Sequence, residues 1–150
     1  MRILIAGGGT AGHINPGLAI AKYIKSHVED SDVVFVGTKK GLESKLVPRE
    51  GFKLEFIRVR GFKREFSLDT MKAIGDVFVG IHEAKNIIKS YKPDLVIGTS
   101  GYVCGPVLFV ASIFRIPTLI HESNAIPGIT NRILGRFVDS ICGHKKRFRE

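Results

Sequence analysis

The sequence predicts an α/β fold, a Rossmann-like doubly wound parallel sheet. Three observations carry the fold class. Short apolar segments alternate with longer segments of helical periodicity. The candidate strands are apolar throughout, as in strands covered by helices on both sides. Glycine-rich or polar turns follow three of these strands, where an open parallel sheet binds its ligands.

The elements read in order as follows. Ile3 to Ala6 is a buried first strand running into Gly7-Gly8-Gly9. Asn15-Pro16 predicts a helix start, with Asn15 as N-cap and Pro16 at the first helical position, and with Leu18, Ile20, Ala21 and Ile24 on the apolar face. Asp32 to Val36 is a second strand, stopped by Gly37; a short helix from Leu42 to Val47 ends at Pro48. Leu54 to Val59 is a third strand and Gly61 to Phe66 a basic loop. Leu68 to Tyr91 is a long helix, broken by Lys92-Pro93-Asp94. Leu95 to Ile97, Pro117 to Ile120 and Ser140 to Cys142 are the remaining strands, with helices over Pro106 to Phe114 and Pro127 to Phe137 between them.

A chain of 150 residues with 44% hydrophobic and 25% charged residues suits one compact domain, residues 1–150, and excludes disorder as its main state. The net charge of +9 points to an anionic partner. No recognition motif or aromatic-basic interleaving supports nucleic acid. Cys104 and Cys142 form no CxxC pair and read as small buried thiols in a reducing compartment. The apolar start is too short for a signal peptide, and the run from Val103 to Phe114 falls short of the roughly 20 residues of a membrane span. A cytoplasmic protein, able to lie on a membrane surface, is expected. The abrupt basic end, Lys145-Lys146-Arg147-Phe148-Arg149-Glu150, suggests a chain cut from a longer polypeptide or docked onto a partner.

Three segments are candidates for chemistry. Gly7 to His13 joins the first strand to the first helix; its exposed amides and the helix N-terminus suit a phosphate or diphosphate, and His13 is placed to act as a base. The same residues satisfy GxGxxG, so an NADP-type dinucleotide must be weighed. The acid expected at the end of the second strand is missing from Val36-Gly37-Thr38-Lys39-Lys40, although the two lysines would suit a 2′-phosphate. Ser100 to Pro106 is a second glycine-bearing turn; alone it reads as a plain loop, and paired with the first across a parallel sheet as a second cradle for phosphate or sugar. In His121-Glu122-Ser123-Asn124, Glu122 and Asn124 either hold sugar hydroxyls or tie down the loop and cap the next helix. HExxH is not met there or at His82-Glu83, so no metal is expected, and no cofactor. On the long helix, Ile74, Val77, Phe78 and Ile81 with Lys72 and Lys85 read either as a core face with solvated lysines or as a patch resting on anionic lipid, to which Phe62-Lys63-Arg64-Glu65-Phe66 would add.

Taken together, Gly8-Gly9-Thr10-Ala11-Gly12-His13, Gly101-Tyr102-Val103-Cys104-Gly105-Pro106 and His121-Glu122-Ser123-Asn124 resemble, in order, the two glycine loops and the HEQN segment of the MurG family, the undecaprenyl-diphospho-muramoylpentapeptide β-N-acetylglucosaminyltransferases of peptidoglycan biosynthesis. Leu46-Val47-Pro48 and Lys92-Pro93-Asp94 also fit, so the likeness covers essentially the whole chain. Ala11 stands for a frequent Gly, Ser100 for another, and Ser123 for Gln. The resemblance implies a GT-B glycosyltransferase that transfers N-acetylglucosamine from UDP-N-acetylglucosamine (UDP-GlcNAc), by inverting displacement, to a MurNAc-pentapeptide linked to undecaprenyl diphosphate. It implies that this chain is the acceptor-binding domain, lying against the inner face of the bacterial plasma membrane and inactive without a C-terminal donor-binding domain. By likeness, His13 is the catalytic base. Thr10, Ala11, Gly12 and Asn124 touch the donor. Gly8, Gly9, Gly101, Tyr102 and Gly105 hold the acceptor diphosphate, and Glu122 supports the site. The alternatives are a membrane-anchoring, acceptor-binding subunit of a split glycosyltransferase, and an NADP-binding Rossmann domain.

Overall fold

The computed structural model describes residues 1–61 and 68–143, with the side chains of 68–73 left aside. The basic segment Phe62 to Phe66, the side chain of Lys72 and the tail Lys145 to Glu150 lie outside the described residues. Eleven elements follow in the order β1 (Arg2–Ala6), α1 (Ala11–His27), β2 (Asp32–Gly37), α2 (Glu43–Arg49), β3 (Lys53–Phe56), α3 (Leu68–Tyr91), β4 (Leu95–Gly98), α4 (Cys104–Ile113), β5 (Thr118–His121), α5 (Ile129–Leu134) and β6 (Ser140–Cys142). All pairings are parallel and the strand order is β3-β2-β1-β4-β5-β6. The chain winds outward from β1 to one edge, then returns to β4 and winds to the other. The reversal between β1 and β4 opens the crevice in which such sheets bind ligands.

Alternation along apolar strands fills two cores. Ile3, Ile5, Val33, Phe35 and Ile97 face α1 and α2, packing on Ile14, Leu18, Ala21 and Val47. Leu4, Ala6, Val34, Val36, Val96 and Ile120 face the other way, onto Ala84 and Ile88 of α3, Val107 and Leu108 of α4 and Leu134 of α5. Because both faces are covered, the central strands β1, β2 and β4 are apolar almost throughout, whereas the edge strands β3 and β6 are largely exposed, and each fully buried Ile, Leu or Val contributes about 1.5–3 kcal/mol.

Three local expectations are corrected. Helix α1 starts at Ala11 with Thr10 as its N-cap, so Asn15 is not a cap and Pro16 lies inside the helix. Proline removes one intrahelical hydrogen bond close to the start, and the buried stripe of Ile14, Leu18 and Ala21 outweighs that loss. Likewise Pro48 lies within α2 rather than ending it. Cys104 is buried as expected, whereas Cys142, at the end of the edge strand β6, is exposed.

Candidate active site: three turns on one rim

The turns after β1, β4 and β5 all leave the carboxyl edge of the sheet, from adjacent strands. The first two interlock. The Thr99 amide donates to the Ala6 carbonyl at 2.9 Å and its hydroxyl to the His13 carbonyl at 2.7 Å. Gly101 has φ of +89°, and a Cβ there would lie 2.4 Å from the Gly8 carbonyl oxygen and 3.1 Å from His13 Nδ1. Only glycine fits this close approach of the two turns. Ser100 also lies in the left-handed region, with φ of +81°, where a side chain is strained. Its hydroxyl offsets part of that strain by accepting a 2.6 Å hydrogen bond from Asn131 and donating to the His121 carbonyl at 3.4 Å.

His13 sits in the first turn of α1, half-buried, with Nδ1 3.2 Å from the Gly8 carbonyl oxygen. A carbonyl can only accept, so this contact places the neutral ring's proton on Nδ1 and leaves Nε2 with a free lone pair. The amides of Ala11 and Gly12 open the helix and have no intrahelical acceptor. Thr10 makes no side-chain cap, and no acidic residue occupies the first turn. This N-terminus presents two donors and partial positive charge beside an imidazole. The Gly9 amide is different: it donates to Glu43 Oε2 at 3.0 Å and is already committed within the fold.

Glu43, the first residue of α2, is fully buried. Its Oε1 accepts from both the amide and the hydroxyl of Thr38 at 2.8 Å, while Oε2 takes the Gly9 amide. A Cβ on Gly8 would come within 2.6 Å of Oε1, so the carboxyl group fills the space that a side chain in the turn would occupy. An acid does therefore stand by the end of β2, but it faces inward with its oxygens spent on the turn. The ribose contact required by the dinucleotide reading is missing. In the sequence Glu43 lies in an ordinary short helix, and nothing in its spacing to Gly9 signals a contact 34 residues apart.

In the second turn, Tyr102 lays its ring against the first: a Cβ on Gly9 would be 3.0 Å from Tyr102 Cε1, and one on Gly61 3.3 Å from Cδ1. Gly105 falls in the opening turn of α4, which carries no acidic residue. Cys104 donates its thiol to the carbonyls of Ala6 and Ser100 at 3.1 and 3.2 Å. Burial pushes that thiol up to about 12, which makes it structural.

The third turn is organised by Glu122, only 5% exposed. Its Oε1 accepts from the Asn124 amide and Asn124 Nδ2 at 2.8 Å; Oε2 accepts from Asn131 Nδ2 at 2.9 Å and the Gly128 amide at 3.3 Å. Burial by itself would raise this carboxyl, and the hydrogen bonds from Asn124, Asn131 and Gly128 together hold it below the usual carboxylate range. Of the two roles open to this segment, Glu122 ties down the loop. Asn124 is exposed, with Nδ2 turned to Glu122 and Oδ1 left as its second polar atom. Asn131, 1% exposed in the middle of α5, joins the second and third turns through Ser100 and Glu122. No feature of the sequence distinguished it.

On α3, Ile74 and Phe78 are 47% and 69% exposed, one helical turn apart. Val77 and Ile81 turn inward and pack on the core, while Lys85 is exposed. The candidate patch thus narrows to Ile74, Phe78 and Lys85 among its described members. No helix among the described residues is long and apolar enough to cross a membrane, and no cluster of His, Cys, Asp and Glu there would hold a metal ion.

A doubly wound sheet with free helix-terminal amides and a histidine at its switch point defines a Rossmann-like domain. The glycosyltransferase family 28 N-terminal domain matches residues 3–142, and the chain belongs to that family. It is 63% identical over 142 residues to the UDP-N-acetylglucosamine–N-acetylmuramyl-(pentapeptide) pyrophosphoryl-undecaprenol N-acetylglucosamine transferase of Acetivibrio thermocellus, covering 95% of this chain and 38% of the relative. The same transferase of Ruminiclostridium cellulolyticum is 64% identical, with 95% and 39% covered. Among solved structures, MurG of Acinetobacter baumannii superposes with a TM-score of 0.81 at 30% identity, over 94% of this chain and 40% of the other. The fold is therefore the N-terminal half of a GT-B glycosyltransferase. The chain spans about two-fifths of the relatives it matches.

Proposed function

We propose that this chain is the acceptor-side half of an enzyme that moves N-acetylglucosamine from UDP-GlcNAc to a MurNAc-pentapeptide carried on undecaprenyl diphosphate. The observation that carries the reading is the junction of the first two turns, where free amides of Ala11 and Gly12 meet the imidazole of His13 beside Gly101. Relatives at 63% and 64% identity bear the name of that reaction. A second domain, supplied by the rest of a full-length protein, would hold most of the donor, with Thr10, Ala11, Gly12 and Asn124 touching its sugar.

In this scheme the acceptor diphosphate lies along the helix N-termini after β1 and β4, near Gly8, Gly101, Tyr102 and Gly105. His13 Nε2 takes the proton of the acceptor hydroxyl as that oxygen attacks the anomeric carbon, and the UDP diphosphate leaves from the opposite face. The Gly8 carbonyl keeps the ring in the required tautomer and orientation. Fixed amide dipoles favour the charge of the diphosphates without reorganisation. Exposed Ile74 and Phe78, with Lys85, would rest on the anionic inner face of the plasma membrane and bring the lipid-borne acceptor to the rim.

The test is His13→Ala in the full-length enzyme. Turnover should fall by roughly 10²- to 10⁴-fold, the usual worth of a positioned general base, with little change in the KM for UDP-GlcNAc. Unaltered turnover would remove His13 from this role.

A further inference from the structure

One cleft on the same rim is not used by the scheme above. It has a volume of about 860 Å³ and lies outward of the glycine turns, beyond the ends of β2 and β3. Lys39, Lys40, Arg58 and Arg60 give it four cations, against the two carboxylates of Asp76 and Glu83 on α3. Both carboxylates are spoken for. Arg58 pairs through Nε with Glu83 at 3.2 Å, and its backbone amide donates to the other oxygen of the same group. Arg60 pairs through Nε with Asp76 at 2.6 Å. Lys39 and Lys40 are exposed and have no ion-pair partner among the described residues. The balance leaves two ammonium groups over two clamped guanidinium groups.

The remaining walls are partly apolar, from Phe56, Ile57, Val59 and Tyr102. Tyr102 is shared: its ring packs against Gly9 of the first glycine turn and against Gly61 of this cleft. A ligand whose diphosphate sits on the glycine turns can therefore pass along Tyr102 into the cleft without leaving the protein surface.

We propose that this cleft is a subsite for the carboxylate-bearing peptide of the acceptor, with Lys39 and Lys40 receiving its negative charge. The inference rests on the acceptor reading given above. A pentapeptide tethered by its amino end finishes in a free carboxylate, and its side chains and backbone supply the apolar and polar surface that the walls match. The volume falls within the roughly 300–1,000 Å³ of sites that enclose ligands of this size. A bare diphosphate needs far less room. A sugar would seek free carboxylates and amides, whereas Asp76 and Glu83 are already held by arginines. A lipid surface calls for free cations, and two of these four are paired with carboxylates of α3.

The experiment measures affinity of the folded chain by titration calorimetry for three soluble probes on a short-chain polyprenyl diphosphate: MurNAc-pentapeptide, the same compound with its peptide carboxylates amidated, and MurNAc without peptide. The first should bind more tightly than the peptide-free compound, and about tenfold more tightly than the amidated one, as two partly screened charge pairs allow. Lys39→Ala/Lys40→Ala should abolish that difference and leave the affinity for the peptide-free probe unchanged. Equal affinity for all three probes would overturn the subsite and leave the acceptor reading standing. No binding of any probe would overturn both. A double variant that loses anionic vesicles but still discriminates the peptide carboxylates would assign the lysines to lipid and overturn the subsite.

Discussion

Two turns on this rim are each held by one buried carboxyl group, and they differ in how far the chain travels to supply it. Glu122 secures its own loop: its partners lie two, six and nine residues onward, at Asn124, Gly128 and Asn131. Glu43 secures a turn that is not its own, reaching back 34 residues to Gly9 from the far side of β2. The local tie shapes a segment, whereas the distant one fixes the glycine turn to the crossover that follows the neighbouring strand. Placement of the first turn thus depends on Glu43, on a different strand's crossover, as well as on its own glycines.

Breaking the distant tie should have the larger effect. Glu43→Ala leaves two buried donors and one partly buried donor unpaired and opens a void under Gly8, so it should cost about 3 kcal/mol or more. A urea midpoint would read that loss, and hydrogen exchange should accelerate first at Gly9 and Thr38. Native stability in this variant would mean that the turn holds itself. Glu122→Gln keeps the shape but replaces a charged acceptor with an amide, and should cost about 1–2 kcal/mol, with protection lost at Asn124 and Gly128 instead.

Acid sharpens the contrast. Glu122 has a folded-state value below its unfolded one of 4.5, so the folded protein binds this proton less readily than the unfolded chain. Its contribution is complete above that pH and disappears as the pH falls through the lower folded value. Wild-type stability should therefore drop below pH 4.5, and Glu122→Gln should flatten that limb. Two parallel acid limbs would show that the Glu122 ties do not set its ionisation. The smallest effect concerns the thiols: a neutral alkylating agent should modify exposed Cys142 in the native protein and reach buried Cys104 only on unfolding. Rapid double labelling of the native chain would contradict the packing of Cys104 under the second turn.

The division between local and distant also decides what could be read in the sequence. Continuous apolar strands, the long helix over Leu68–Tyr91 and the last strand Ser140–Cys142 were legible, because each is announced by its own residues. So were the three rim segments, since a strand running into glycine or polar residues marks a carboxyl end. Asn15-Pro16 misled, because a capping pair is a local preference that the buried face of α1 overrides. Val77 and Ile81 could not be separated from Ile74 and Phe78 until the helix had a core to face. Glu43 and Asn131 were invisible for a different reason: each acts by joining segments that only the sheet order brings together.

On the proposed function, the turns after β1 and β4 make one anion-binding crevice around His13. Amide shift mapping of the chain titrated with a short-chain prenyl diphosphate would show it. Saturable shifts should appear together at Ala11, Gly12, Tyr102 and Gly105, with the His13 ring responding at the same ligand concentration. Shifts confined to one turn, or a His13 ring that does not respond, would contradict it.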